Sequence, residues 1–138
     1  MSDSLTQRLP ELTARAREAQ TNAYAPYSAF KVGAALVSRD GTVFGGCNVE
    51  NASYPAGTCA ERAALAAAVS AGHQQFEAVV IVSDATSATP PCGICRQMLA
   101  EFGVDLVVIA VTRDGTSTRW TLLQLLPDPF TPISLRTA

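Results

Sequence analysis

Two short stretches hold the residues that could do chemistry. Cys59 and Glu61 lie in "TCAERAAL", and Cys92 and Cys95 lie in "PPCGICRQ". Alone, the first stretch reads as a capping box, in which Thr58 caps a helix and Glu61 reaches back to the Thr58 N–H. Alone, the second reads as a redox pair or half of a zinc site, because cysteines three apart share one face of a helical turn. Helix N-termini carry partial positive charge, so thiolates placed there suit either chemistry. Together the stretches offer three thiolates, Cys59, Cys92 and Cys95, which is the number a zinc ion takes when its fourth place must hold water. Glu61 would then lie beside the metal without binding it. Its spacing from Cys59 permits this at a first turn, where both side chains can project past the helix end, but does not require it. The fourth cysteine, Cys47, reads as a buried structural thiol; as a fourth ligand it would leave no place for water. His73, the single histidine, follows Gly72 at an expected helix end and reads as a surface or capping residue.

The elements that must position these residues follow from periodicity. Leu5, Leu9, Leu12, Ala16 and Ala19 recur at helical spacing, predicting a helix from Leu5 to Asn22. Pro10 is expected in its first turn, which puts the regular helix start near Leu9. Val32–Ser38 and Thr42–Cys47 read as strands joined by a hairpin at Asp40-Gly41. "NVENASYPAG" is a loop, Thr58–Ala71 an alanine-rich helix, and Phe76–Ser83 an apolar strand. Gly93–Phe102 reads as a helix, Asp105–Val111 as a strand, and Arg119–Leu126 as a strand or short helix. The order α-β-β-α-β-α-β predicts an α/β layered domain with a partly parallel sheet.

Composition narrows the function. The 138 residues suffice for one compact domain, taken as 1–138, and 48% are hydrophobic against 16% charged. Net charge is −2 and the ten basic residues are scattered, which argues against a nucleic-acid polymer or a membrane surface as partner. Residues 1–25 carry too many charges for a secretory signal, and no apolar run approaches the ~20 residues of a membrane span. A cytoplasmic home is expected, where thiols stay reduced and four cysteines point to metal or catalysis. Asn51-Ala52-Ser53 is formally a glycosylation sequon that means little without a secretory signal.

Cys-x-Glu followed by Pro-Cys-x-x-Cys is the pattern of the zinc nucleobase deaminases. The likeness extends to "AYAPYSAFKVGAAL", "GCNVENASY" and "LLPDPF", so the chain resembles the small, homotetrameric, three-cysteine class of cytidine deaminases from about Ala23 to Phe130. That resemblance implies a three-layer α-β-α fold with a mixed five-stranded sheet flanked by helices. It implies one zinc per chain held by Cys59, Cys92 and Cys95, a zinc-bound water as nucleophile, and Glu61 as proton shuttle. The activity implied is hydrolytic deamination of cytidine and 2'-deoxycytidine to uridine and 2'-deoxyuridine with release of ammonia, in pyrimidine salvage. Asn48 and Glu50 match the pair that holds the ribose hydroxyls, and Phe30 the aromatic that packs near the base. The Ala60 N–H matches the donor to the pyrimidine 2-oxo group. Arg62 matches an arginine that hydrogen-bonds the ligand sulfurs and tunes the metal. Tyr54 and Phe130 match positions that reach toward a neighbouring subunit's site in a homotetramer. Three rivals stand beside this reading: a same-fold deaminase acting on a cytosine-containing antibiotic such as blasticidin S, a closed Cys₄ zinc domain that also uses Cys47, and a thiol redox module on Cys92 and Cys95.

Overall fold

The computed structural model describes residues 3–136. The elements in chain order are α1 (Ser4–Thr21), β1 (Val32–Ser38), β2 (Val43–Cys47), α2 (Ala60–Ser70), β3 (Phe76–Ser83), α3 (Gly93–Ala100), β4 (Val107–Val111), β5 (Ser117–Thr121), α4 (Leu122–Leu125) and α5 (Pro132–Arg136), with a 3₁₀ turn at Tyr54–Ala56. One five-stranded sheet runs in the order β2-β1-β3-β4-β5. Only β3 and β4 pair in parallel, across the crossover made by α3; the other pairs are antiparallel. The mixed α/β sheet expected from the sequence is therefore present.

Strand alternation divides the core. Ala35, Val37, Ala78, Val80, Val82, Ile109 and Val111 face α1, where they meet Leu5, Leu12 and Ala16. Ala34, Leu36, Val79, Ile81 and Val108 face the other layer, with Ala64, Leu65 and Ala68 of α2 and Leu99 of α3. Both faces of β1, β3 and β4 are covered, which is why these strands read as unbroken apolar runs. Burying one such side chain stabilises by roughly 1.5–3 kcal/mol. The mostly exposed β5 gains little of this and lies at the sheet edge.

Helix α3 ends and β4 begins two residues inside their expected bounds, and three further differences concern how helices begin. Helix α1 begins at Ser4, so Pro10 lies inside it rather than in its first turn. Asp3 caps the helix, its Oδ1 accepting from the Thr6 N–H at 3.1 Å, and buried Leu5 anchors the first turn in the core. The proline removes the N–H that would serve the Thr6 carbonyl, but Thr6 and Pro10 are exposed and water can take its place. Helix α2 begins at Ala60 with Cys59 as N-cap, so Thr58 lies one residue too early to cap it. The last segment is strand and helix in turn, and Thr121 and Gln124 form the reciprocal capping box that the sequence suggested at Thr58 and Glu61.

Two features fix the helix that carries Cys59 and Glu61. At its end, Gly72 (φ +96) and His73 donate to the carbonyls of Val69 and Ala68, a Schellman stop. The His73 ring then packs edge-on against Phe44, centroids 4.9 Å apart. At its start, β2 runs against the helix backbone at Gly46, where a Cβ would lie 2.4 Å from the Ala64 nitrogen and 2.5 Å from the Ala60 oxygen. Helix α1, on the opposite face of the sheet, secures three strand ends. Arg17 donates to the carbonyls of Ser83 (3.0 Å) and Thr112 (2.6 Å), and Gln20 to that of Lys31 (3.0 Å).

Candidate metal centre and substrate cavity

Cys59 is the N-cap of α2 and Cys92 the N-cap of α3; Cys95 lies one turn into α3. The N-termini of two helices thus converge, and the three sulfurs lie within 4.8 Å of one another. The Cys59–Cys92 distance is 3.9 Å and the Cys92–Cys95 distance 3.5 Å. A tetrahedral zinc with Zn–S bonds of ~2.3 Å needs sulfurs about 3.8 Å apart, so the donor set fits zinc in element, number and spacing. Cys47, at the end of β2, is outside this cluster, and all four cysteines are free. Among the described residues the sulfurs therefore form an open three-ligand set, and the closed Cys₄ arrangement does not occur.

The sulfurs are electrostatically unequal. Hydrogen bonding from Cys95 brings the Cys59 thiol down to about 6, with help from Cys92 and the positive charge of Arg62 and against the cost of burial. The same bond to Cys59, together with burial, pushes the Cys95 thiol up. Metal ligation takes the sulfurs as thiolates, so a cation entering the cluster must displace the thiol protons.

Glu61, the second residue of α2, is 5% exposed. Burial raises its carboxyl to about 7, and the nearby Cys59 charge adds to the rise. Its side chain lines a cavity of about 710 Å³ with Cys59, Cys92, Ala60 and Arg62. Phe30, Asn48, Glu50 and Tyr54 line the same cavity, so the structure brings together nearly all the residues singled out in the sequence. Cys95 lies behind it, fully buried. Phe130 is apart: it is exposed, and its carbonyl accepts from Gln97 Nε2 at 2.7 Å.

Three residues make bonds that the sequence did not foretell. Arg62 Nη2 donates to the Gly57 carbonyl (3.2 Å) and to Thr58 Oγ1 (3.0 Å), not to a sulfur. The cause is direction: a first-turn helical side chain leans back over the preceding residues. Arg62 thus fixes the turn before Cys59 and acts on that sulfur through its charge. Asn48 and Glu50 hold the chain itself. Asn48 Oδ1 accepts from the Val32 N–H (2.9 Å) while its Nδ2 donates to the Phe30 carbonyl (2.8 Å). Glu50 accepts from the N–H groups of Tyr27 (3.0 Å) and Ser28 (3.1 Å) and from the Ser28 hydroxyl.

Sequence reasoning passed over Tyr27 and Ser28, which line the cavity and bond Glu50. Pro26-Tyr27-Ser28 is a turn-type sequence, but nothing local says which carboxylate it meets. It also passed over Gly46, whose need for glycine arises from a helix distant in sequence.

Comparisons with known proteins agree with this geometry. The family described as "Cytidine and deoxycytidylate deaminase zinc-binding region" matches residues 6–111. The cytidine deaminase of Halalkalibacterium halodurans is 45% identical over 121 residues, 87% of this chain and 92% of that protein. The cytidine deaminase of Sporosarcina psychrophila is 43% identical over 121 residues, covering 87% and 89% of the two chains. The crystal structure of cytidine deaminase from Burkholderia pseudomallei superposes with a TM-score of 0.85 at 47% identity, covering 88% of this chain and 98% of that one.

Proposed function

Because this chain belongs to the cytidine and deoxycytidylate deaminase family, we propose that it hydrolyses cytidine and 2'-deoxycytidine to uridine and 2'-deoxyuridine, consuming water and releasing ammonia, as a step of pyrimidine salvage. The observation that carries this reading is that a zinc-spaced sulfur triangle, with Cys59 and Cys92 on the wall, and the buried Glu61 meet at one cavity.

Cys59, Cys92 and Cys95 would hold one zinc. When bound, zinc supplies a nucleophile near neutral pH by acidifying water. Three thiolates leave a zinc site formally at −1, which opposes that acidification. The two helix N-termini and the Arg62 charge counter it. Glu61 takes a proton from the attacking water and delivers it to N3 of the cytosine. Once the water oxygen has added to C4, Glu61 carries that oxygen's remaining proton to the amino group; the C4–N bond breaks, ammonia leaves and the C4 carbonyl forms. A carboxyl poised near 7 by burial suits a group that must both accept and donate. The Ala60 N–H, at the first position of α2, has no partner within the helix and is free to donate to the 2-oxo group.

Asn48 and Glu50 are assigned to the sugar, with capacity to spare. A carboxylate accepts at about four lone-pair sites, and three donors meet Glu50. Asn48 likewise keeps one amide hydrogen and one lone pair. Sugar hydroxyls would add to these bonds rather than replace them. Phe30, partly exposed at the cavity wall, would pack against the base. The exposed apolar residues Tyr54, Phe130, Ile133 and Leu135 support the homotetramer, with Tyr54 and Phe130 turned to a neighbouring subunit's site. No helix among the described residues is long and apolar enough to cross a membrane, and a three-thiolate site fits the reducing cytoplasm.

The test is paired. Zinc is counted per chain, and loss of cytidine, deoxycytidine or blasticidin S is followed by ultraviolet absorbance, for the wild type and Glu61→Gln. The expected result is about one zinc in both, with nucleoside turnover lower by roughly 10²- to 10⁴-fold in the variant. Turnover of blasticidin S alone would move the substrate to the antibiotic class. Turnover unaffected in Glu61→Gln would remove the proton-shuttle role.

A further inference from the structure

The three sulfurs are not held equally. Cys95 is fully buried on α3 and Cys59 is half-buried at the head of α2, whereas Cys92 is exposed. Cys92 precedes the first turn of α3 and its side chain makes no capping bond. The two residues before it are Pro90 and Pro91, which bring no N–H to anchor the turn. What anchors it is Arg96, four residues on. The Arg96 side chain folds back along α3, and its Nε donates at 2.7 Å to the carbonyl of fully buried Pro91. The same guanidinium donates through Nη1 at 2.8 Å to the Leu125 carbonyl.

Leu125 is the last residue of α4, which is itself firmly held. The Thr121–Gln124 capping box fixes its start, and fully buried Leu122 anchors it in the core beside Leu99 of α3. A guanidinium suits this position, since its planar fork serves two carbonyls at once and its charge is permanent. A lysine would reach with one flexible ammonium, and an alanine would leave the Pro91 carbonyl buried without a donor.

We infer that Arg96 is a positioning residue of the metal centre: it ties the turn that presents Cys92 to α4, so the C-terminal part of the fold sets the third sulfur. This assignment rests on the zinc reading above. It is tested by the affinity of the full-length protein for zinc, measured by competition with a chromophoric chelator, beside the melting temperature of each metal-free variant. The control is Val37→Ala, a truncation in the α1-facing core that lowers stability away from the centre.

Arg96→Ala is expected to weaken zinc roughly 10- to 100-fold, the usual cost of losing a residue that orients a ligand. Arg96→Lys should weaken it less, and Val37→Ala should leave it near wild type. Wild-type affinity in Arg96→Ala, or an equal fall in Val37→Ala, overturns the assignment. Should Arg96→Ala fail to fold, Arg96→Lys decides: weaker zinc at an unchanged melting temperature supports the role, and wild-type affinity overturns it. A wild type that binds no zinc overturns both this inference and the zinc reading. A wild type that binds zinc beside indifferent Arg96 variants overturns this inference alone.

Discussion

The cavity has two halves built on opposite plans. On one side, Cys59, Cys92 and Cys95 are presented by the ends of two helices, and among the described residues their sulfurs hydrogen-bond only one another. On the other, Asn48 and Glu50 already bond five main-chain and hydroxyl groups of the Tyr27–Val32 segment. The first half is held from behind, by packing at Cys95 and by the Arg96 bonds at the Cys92 turn, and leaves its ligand atoms free. The second makes itself rigid by using the polar groups assigned to the sugar. A metal centre needs lone pairs directed at a point, which helix geometry supplies; a sugar cradle needs a loop held in one shape, which its own hydrogen bonds supply.

The largest expected effect comes from removing a sulfur from the half that packing holds. Cys95→Ala keeps an apolar residue at a fully buried position and should retain the circular dichroism of the wild type. With only two thiolates left, zinc affinity should fall by more than the roughly 100-fold that loss of a supporting residue can cost, and turnover should vanish with it. Retained zinc in Cys95→Ala would show that the triangle is not the ligand set, and the contrast between the halves would collapse.

Glu50 gives the intermediate effect and the sharper comparison. Glu50→Gln keeps the shape but loses the charge and an acceptor for the donors at Tyr27 and Ser28. These bonds are open to water and screened by it, so their loss should loosen the loop rather than unfold it. The expectation is zinc content unchanged and KM for cytidine raised by roughly tenfold, measured by steady-state kinetics. A fall in zinc content would mean that the two halves are not separately held. The same clamp has a pH signature. The Ser28 hydroxyl holds the Glu50 carboxyl below its ordinary 4.5, with the Ser28 and Tyr27 N–H groups adding to this. The clamp's contribution is therefore complete above that pH and is lost as pH falls through the lowered value. The amide resonances of Tyr27 and Ser28 should stay fixed from neutral pH down to about 4.5 and move only below it. Movement near pH 6 would assign the bonds to another group.

The two halves were also unequally legible in the sequence. Cys59, Glu61, Cys92 and Cys95 stand in short motifs, because consecutive positions of one helix end deliver them, and local spacing encodes local geometry. The apolar strands Val32–Ser38 and Phe76–Ser83 were legible for the same reason, since burial on both faces leaves an unbroken run. The start of α1 was not, because a cap at Asp3 and the burial of Leu5 outweighed a proline. The Thr58–Glu61 pattern suggested a capping box, but the cap belongs to Cys59 and the working box to Thr121 and Gln124. Those two pairs look alike until tertiary contacts choose between them. The bonds of Asn48, Glu50, Arg62 and Arg96 join residues whose pairing no single window contains or decides. The resemblance supplied roles for the first three, and the geometry shows that in each case part of the work is to hold the backbone.

The smallest expected effect lies in the loop that this backbone-holding fixes. Ala29 takes a left-handed conformation, φ 58, between Ser28, which bonds Glu50, and Phe30, which lines the cavity. A left-handed residue with a Cβ costs roughly 1–2 kcal/mol, and the Glu50 clamp on one side and Asn48 on the other hold it there. Ala29→Gly removes that cost in the folded state but widens the freedom of the unfolded chain. The two effects oppose, and relief at a positive φ is the larger. The melting temperature should rise by a few degrees, in line with a gain of about 1 kcal/mol or less, with KM and zinc content unchanged. A fall in melting temperature would mean that the loop is not strained at Ala29. A raised KM at higher stability would be more informative, because it would show that the strain itself holds Phe30 in place for the substrate.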